Sequence, residues 1–190
     1  IPLLIESNVE EFVSNLYRSA KTYSELLKEC KKKTIDLYYH WRSLALPLLD
    51  ALAINAHQLI TEIEENSNEK CMAELGEIEE DFYYYKILTT LVLENDSYDK
   101  IAPLLKNFEK SMQGGESARY AVVCDLHTKD NEAFLNDFDT FLIEWKKAIK
   151  KQRTEGMLDP DDKATTSNIC IEGITLLQIA KRLGLKVGKR

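Results

Sequence analysis

The side chains with the chemistry to catalyse or to hold a metal are few in this chain, and they are scattered. Its histidines are His40, His57 and His127, and none stands in an HxxxH or HExxH pair or at ligand spacing from a cysteine. The four cysteines, Cys30, Cys71, Cys124 and Cys170, lie more than 40 residues apart from one another, so no CxxC motif exists for zinc or redox chemistry. They read as reduced thiols packed as small hydrophobes. No GxSxG, P-loop or GxGxxG occurs, and Gly114-Gly115 reads as a turn. Two pairs invite an acid–base reading. Asp50 and His57 stand two helical turns apart in an apolar run, and Arg119 and His127 have seven residues between them. Asp50–His57 reads first as a buried hydrogen-bonded pair, because a carboxylate in apolar surroundings must find a partner or stay neutral. No catalytic, cofactor-binding or metal-binding residue is assigned, and no cofactor is expected.

Charge patterning carries more information. From Glu62 to Asp81 there are nine acids (Glu62, Glu64, Glu65, Glu69, Glu74, Glu77, Glu79, Glu80 and Asp81) against Lys70 alone. Asp125, Asp130, Glu132, Asp137 and Asp139 form a second acidic group. The bases segregate into Lys146, Lys147, Lys150, Lys151 and Arg153, and into Lys181, Arg182, Lys186, Lys189 and Arg190. Like charges at i,i+4, such as Glu65–Glu69 and Glu77–Asp81, cost helix stability. A cost without a folding gain points to a basic partner that supplies the compensating charge. Tyr83-Tyr84-Tyr85 follows the run directly, and three consecutive residues cannot all face one core, so at least one tyrosine is expected at the surface as an interface anchor. The expected partner-binding residues are Glu77, Glu80, Asp81 and Tyr84, supported by Asp125 and Asp130.

These residues must be positioned by helices. Asn8 to Glu11 reads as a capping box, and Phe12, Leu16, Ala20, Tyr23, Leu27 and Cys30 form one stripe closed by Lys31-Lys32-Lys33. A second helix, capped by Thr34, is expected through Tyr38, Trp41 and Ala45, kinked at Pro47 and continuing to about Glu65 as the central helix. Asn66-Ser67-Asn68 then opens a third to about Glu94, with Met72, Leu75, Ile78, Phe82, Tyr85 and Thr89 on one face. Ser97 caps a short helix over 98–112 that carries Pro103. Ser117 to Thr128 forms a fifth, and Asp130 caps a sixth with Phe134, Phe138, Phe141, Trp145 and Ile149 on one face. A loop over 153–167, with Asp159, Asp161 and Asp162, leads to a last helix from about Thr165 to Leu183, stopped at Gly184. Residues 118–145 form a helical hairpin of tetratricopeptide texture, but no second copy stands at a 34-residue offset, so no repeat array is expected.

No run of period-2 alternation appears. The fold class is therefore all-α: an irregular bundle of about seven or eight antiparallel helices in a single domain over 1–190, with N-terminal helices about 8–112 and a C-terminal hairpin and final helix about 116–186. Seven Gly and four Pro in 190 residues agree with long helices. A formal charge of −7 argues against direct nucleic-acid binding. The longest apolar run, Leu44 to Ile60, is interrupted by Pro47, Asp50, Asn55, His57 and Gln58, which argues against a membrane span. Ile1 to Ile5 has no basic flank of the kind a signal peptide carries, and the reading of the four cysteines as reduced thiols gives the expectation of a cytoplasmic location.

The C-terminal third bears a resemblance. Asp125-Leu126-His127-Thr128-Lys129-Asp130 leads into Phe134–Trp145, and Ile171-Glu172-Gly173-Ile174 runs on through Ala180-Lys181-Arg182-Leu183-Gly184-Leu185-Lys186-Val187. This stretch resembles the all-helical immunity proteins, the antitoxins of bacterial polymorphic toxin and type VI secretion effector–immunity pairs. The resemblance implies no enzyme activity: the protein would bind a cognate toxin directly and occlude its active site, and an acidic surface suits toxins that are basic. A homodimer stays open. Two alternatives are a helical adaptor or effector chaperone, which would expose an apolar groove, and a small helical ribonuclease of the Arg…His type, whose signature has a shorter gap than Arg119–His127.

Overall fold

The computed structural model describes residues 9–33, 37–94, 98–158 and 167–188. The expected caps at Asn8, Thr34 and Ser97, the acids Asp159, Asp161 and Asp162, the helix start at Thr165, and Lys189 and Arg190 lie outside the described residues. Within them the fold is all-helical, 77% helix with no strand, and eight α-helices pack into a bundle. They are α1 (Val9–Lys33), α2 (Leu46–Ala53), α3 (His57–Asn66), α4 (Glu79–Leu93), α5 (Tyr98–Ser111), α6 (Ala118–Thr128), α7 (Asn131–Thr154) and α8 (Ile171–Arg182).

Local chemistry explains most of these ends. In α1 the buried residues Leu16, Ala20, Ser24, Leu27 and Cys30 form the expected stripe, and Lys31, Lys32 and Lys33 sit in its last turn. The Ser117 side chain accepts from the Tyr120 N–H at the start of α6, and the Asp130 carboxylate accepts from the Glu132 and Ala133 N–H groups at the start of α7. Left-handed Gly184 (φ +88°) ends α8.

Two expected helices are rearranged. Pro47 sits in the first turn of α2 and begins a helix instead of kinking one, because a first-turn N–H has no intrahelical partner to lose. The chain before it, 37–44, forms two 3₁₀ turns. Asn55 adopts φ +53° and separates α2 from α3, a conformation asparagine tolerates better than most residues. The third helix begins at Glu79, ten residues later than expected. Left-handed Gly76 (φ +100°) closes a 3₁₀ turn over Ala73–Leu75, and the Glu77 carboxylate takes up the Met72 N–H at 2.8 Å. The final helix likewise begins later than expected, at Ile171.

The core is continuous from Ala20 to Leu185. Leu48, Leu49, Ala51, Leu52 and Ala53 of α2 are all buried, as expected of a central helix. Leu44 and Leu46, at the head of that run, are exposed. The centre is shared with α4, which packs against α3, α5, α6 and α8, while α2 packs against α1, α3 and α8. Helices α6 and α7 form the expected antiparallel hairpin, its facing side built from Phe134, Phe138 and Phe141.

Candidate interaction surface

The acidic run is divided by the fold. Arg42, 1% exposed, donates from Nη1 and Nη2 to the Glu64 carboxylate and from Nε to the Asn68 carbonyl at 2.9 Å. Lys86 donates to the same carboxylate. Burial pushes Glu64 up, but Arg42 and Lys86 outweigh it and hold the group below the usual carboxylate range. Glu62 bonds Lys28 at 2.7 Å, with Ser24 and Gln58 adding donors, so its carboxyl falls to about 2. Glu77, only 3% exposed, accepts from the Ser43 N–H and the Met72 N–H, pinning the second 3₁₀ turn to the loop before α4.

Asp81 and Tyr84 belong to a second arginine-centred network. Arg119 of α6 donates from Nε and Nη2 to Glu172 of α8 at 2.6 and 2.8 Å, and from Nη1 to Asp81 of α4 at 2.9 Å. Its guanidinium lies over the Tyr84 ring, 5.0 Å from the centroid. Burial raises Asp81 above its ordinary range, with Arg119 pulling in the opposite direction. Tyr84 and Tyr85 are buried and Tyr83 is half-buried, so none of the three tyrosines is an exposed anchor. Helix α4 has neighbours on nearly every side, which overrides the one-sided periodicity argument.

The structure places the residues of the expected partner set in different surroundings. Glu77 and Tyr84 are interior residues, Asp81 is engaged with Arg119, and Glu80 is exposed. Asp130 is exposed but serves as the α7 cap. Asp125 is half-buried, and its Oδ2 atom is buried without a donor. Burial and then the neighbouring Asp137 raise it to about 7. Asp125 lies six residues beyond Arg119 on α6, about 9 Å along the axis, in a setting distinct from that of Glu80. The acids of this run take part in folding: Glu62, Glu64 and Asp81 are in ion pairs and Glu77 holds two backbone amides. Glu69 and Glu77 lie outside helices, and Glu79, Glu80 and Asp81 occupy the first turn of α4, where the helix dipole favours them.

Neither acid–base pair is a catalytic dyad in this fold. Asp50 hydrogen-bonds Ser19, while His57 begins α3 beyond the Asn55 break and is exposed. Arg119 is committed to Glu172 and Asp81. Among the described residues no group of three His, Cys, Asp or Glu side chains could hold a metal ion, and no helix is long and apolar enough to cross a membrane. All four cysteines are unpaired; Cys30 is buried and the others are half-buried.

What remains of the run on the surface is accompanied by apolar side chains. Tyr38, Tyr39, Leu44, Leu75 and Ile78 are between 38% and 58% exposed. Tyr38 packs on Trp41 with ring centroids 4.8 Å apart, and the Trp41 ring lies 3.9 Å from where a Gly76 Cβ would stand. Leu75 and Ile78 flank that glycine, and Glu74, Glu79 and Glu80 are exposed around them. Leu75 and Ile78 were expected on one face of a continuous helix shared with Phe82 and Tyr85; the 3₁₀ turn over Ala73–Leu75 and the late start of α4 leave both at the surface, and Tyr38 is exposed in the first 3₁₀ turn. The signal available in the sequence was the cluster Tyr38-Tyr39-His40-Trp41 and the glycine between Leu75 and Ile78.

The fold and this surface define a helical bundle with an acid-rimmed aromatic and aliphatic face. No family model, curated protein or solved structure matches the chain.

Proposed function

We propose that this protein is an immunity protein that neutralises a cognate bacterial toxin by binding it directly and occluding its active site. The observation that carries the reading is the exposed Tyr38, Leu75 and Ile78 surface rimmed by Glu74, Glu79 and Glu80. Aromatic and aliphatic anchors inside a charged rim are the composition of a protein interface, and the sign of the rim selects a basic partner. Glu80 keeps its expected contact role. Glu77 shapes the surface from below by holding the Ser43 and Met72 amides. The resemblance of the C-terminal third to immunity proteins supports the same reading, as does the commitment of Arg119 to structural ion pairs.

The test is co-expression with the product of the neighbouring upstream gene as the toxin. Glu74, Glu79 and Glu80 are exposed, so reversing all three to Lys should abolish protection and co-purification. The reversal should cost about 1–3 kcal/mol in stability from the lost dipole interaction of Glu79 and Glu80 at the start of α4. Neutral Glu79→Gln and Glu80→Gln, which keep most of the stability, should weaken binding in the same direction. Association of the wild-type pair should slow as salt rises from about 50 to about 500 mM, because the Debye length falls well below the width of such a face. Full protection by the triple variant would refute the assignment of this surface.

A further inference from the structure

A separate open cleft lies where α1, α2, α7 and the start of α8 meet, with the exposed Ser19 and Leu46 at its edge and the half-buried Asp50 inside. Its volume is about 360 Å³, and Leu46, Leu49, Trp145 and Ile171 supply apolar walls. That size falls within the range of roughly 300–1,000 Å³ common for small-ligand pockets. Two polar side chains, Ser19 and Asp50, line it, and no basic side chain does among the described residues. Asp50 sits on the central helix between Leu49 and Ala51, both buried. The Ser19 hydroxyl is the donor that favours its charged form, and burial disfavours that form more strongly, raising its pKa. A carboxylate in apolar walls is complementary to a compact cation on an aliphatic stem. The Trp145 ring adds an aromatic wall of the kind cations favour.

We propose that this cleft binds a primary alkylammonium group, with the ammonium donating to the Asp50 carboxylate and the alkyl chain lying against Leu46, Leu49, Ile171 and Trp145. Two sources share that chemistry: a free aliphatic diamine and a lysine side chain. The inference stands apart from the toxin-binding reading, because Tyr38, Leu75, Ile78 and the acids around them take no part in it.

The experiment uses the full chain with Trp41→Phe, which leaves Trp145 as the only tryptophan. n-Hexylammonium is titrated at pH 7.5 against Trp145 fluorescence, and calorimetry on the wild-type chain provides a readout that needs no substitution. A saturable response is expected, weakened at least roughly tenfold in Asp50→Asn, since a hydrogen bond to a charged group contributes more than a factor of ten. n-Hexanol should bind more weakly than the ammonium and be indifferent to Asp50→Asn. Cadaverine and Nα-acetyl-lysine methylamide then separate the sources: tighter binding of the first supports a free diamine, and of the second a lysine side chain. Equal binding of hexanol and hexylammonium, an unchanged affinity in a folded Asp50→Asn variant, or no saturable signal by either readout would each overturn the proposal.

Discussion

Replacing Arg119 by Met probes the junction of α4, α6 and α8 most directly. The substitution keeps an unbranched stem of similar reach but removes the bidentate bond to Glu172, the bond to Asp81 and the cation over Tyr84. It leaves two carboxylates with side chains only 12% and 26% exposed and no compensating charge. Breaking a buried pair in this way costs about 3–5 kcal/mol. Arg119 itself is 36% exposed, so water screens part of the interaction, and a loss of about 2–3 kcal/mol is expected. Followed by urea denaturation, that loss should lower the midpoint by about 1 M if the slope is about 2–3 kcal/mol per molar. The deficit should depend on pH with a definite sign. Burial already raises the folded-state pKa of Asp81, and removing Arg119 removes the cation and hydrogen-bond donor that pull it down. A carboxyl raised on folding binds its proton more tightly in the native state, so stability is greatest below the ordinary carboxylate range and falls as pH rises through the raised value. The variant should therefore lie closer to wild type at pH 4 than at pH 8, and Asp81→Asn added to Arg119→Met should recover part of the loss at pH 8. A loss below about 0.5 kcal/mol at pH 8, or a deficit that grows on acidification, would show that the network contributes nothing of this kind.

Asp125, raised to about 7 by burial and Asp137, should make wild-type thermal stability decline between about pH 4 and pH 7, since its stabilising proton is lost over that window; Asp125→Asn should flatten this decline and exceed wild type at pH 8 in a melting series. Leu52→Ala, at a residue 1% exposed on α2, should cost about 2–5 kcal/mol by chemical denaturation. Gly76→Ala should cost about 1 kcal/mol through its left-handed backbone, with Trp41 emission reporting any displacement of the neighbouring ring. Mass spectrometry of the native, unreduced protein should show four free thiols.

Much of the fold was legible in the sequence because it rests on local chemistry. The heptad-like stripe of α1, the Ser117 and Asp130 caps, the short Lys129-Asp130 turn and the left-handed Gly184 each depend on residues within a turn or two of one another. Their periodicity and capping chemistry act before any distant part of the chain is in place. The all-helical class and the central place of Leu48 to Ala53 follow from the same signals. What the sequence alone could not settle was where each polar side chain spends its charge. Glu64 and Arg42 are 22 residues apart, Glu77 and Ser43 are 34 apart, and Arg119 reaches Asp81 across 38 and Glu172 across 53. A carboxylate's partner decides whether it is a clasp or a surface group, and that partner comes from tertiary packing. The same packing surrounded α4, taking Tyr84 and Tyr85 inside. It also let Glu77 capture backbone amides that an uninterrupted helix would have kept, so Leu75 and Ile78 turned outward beside Tyr38. Helical periodicity locates a face; only the neighbours that assemble against it determine whether that face meets protein or water.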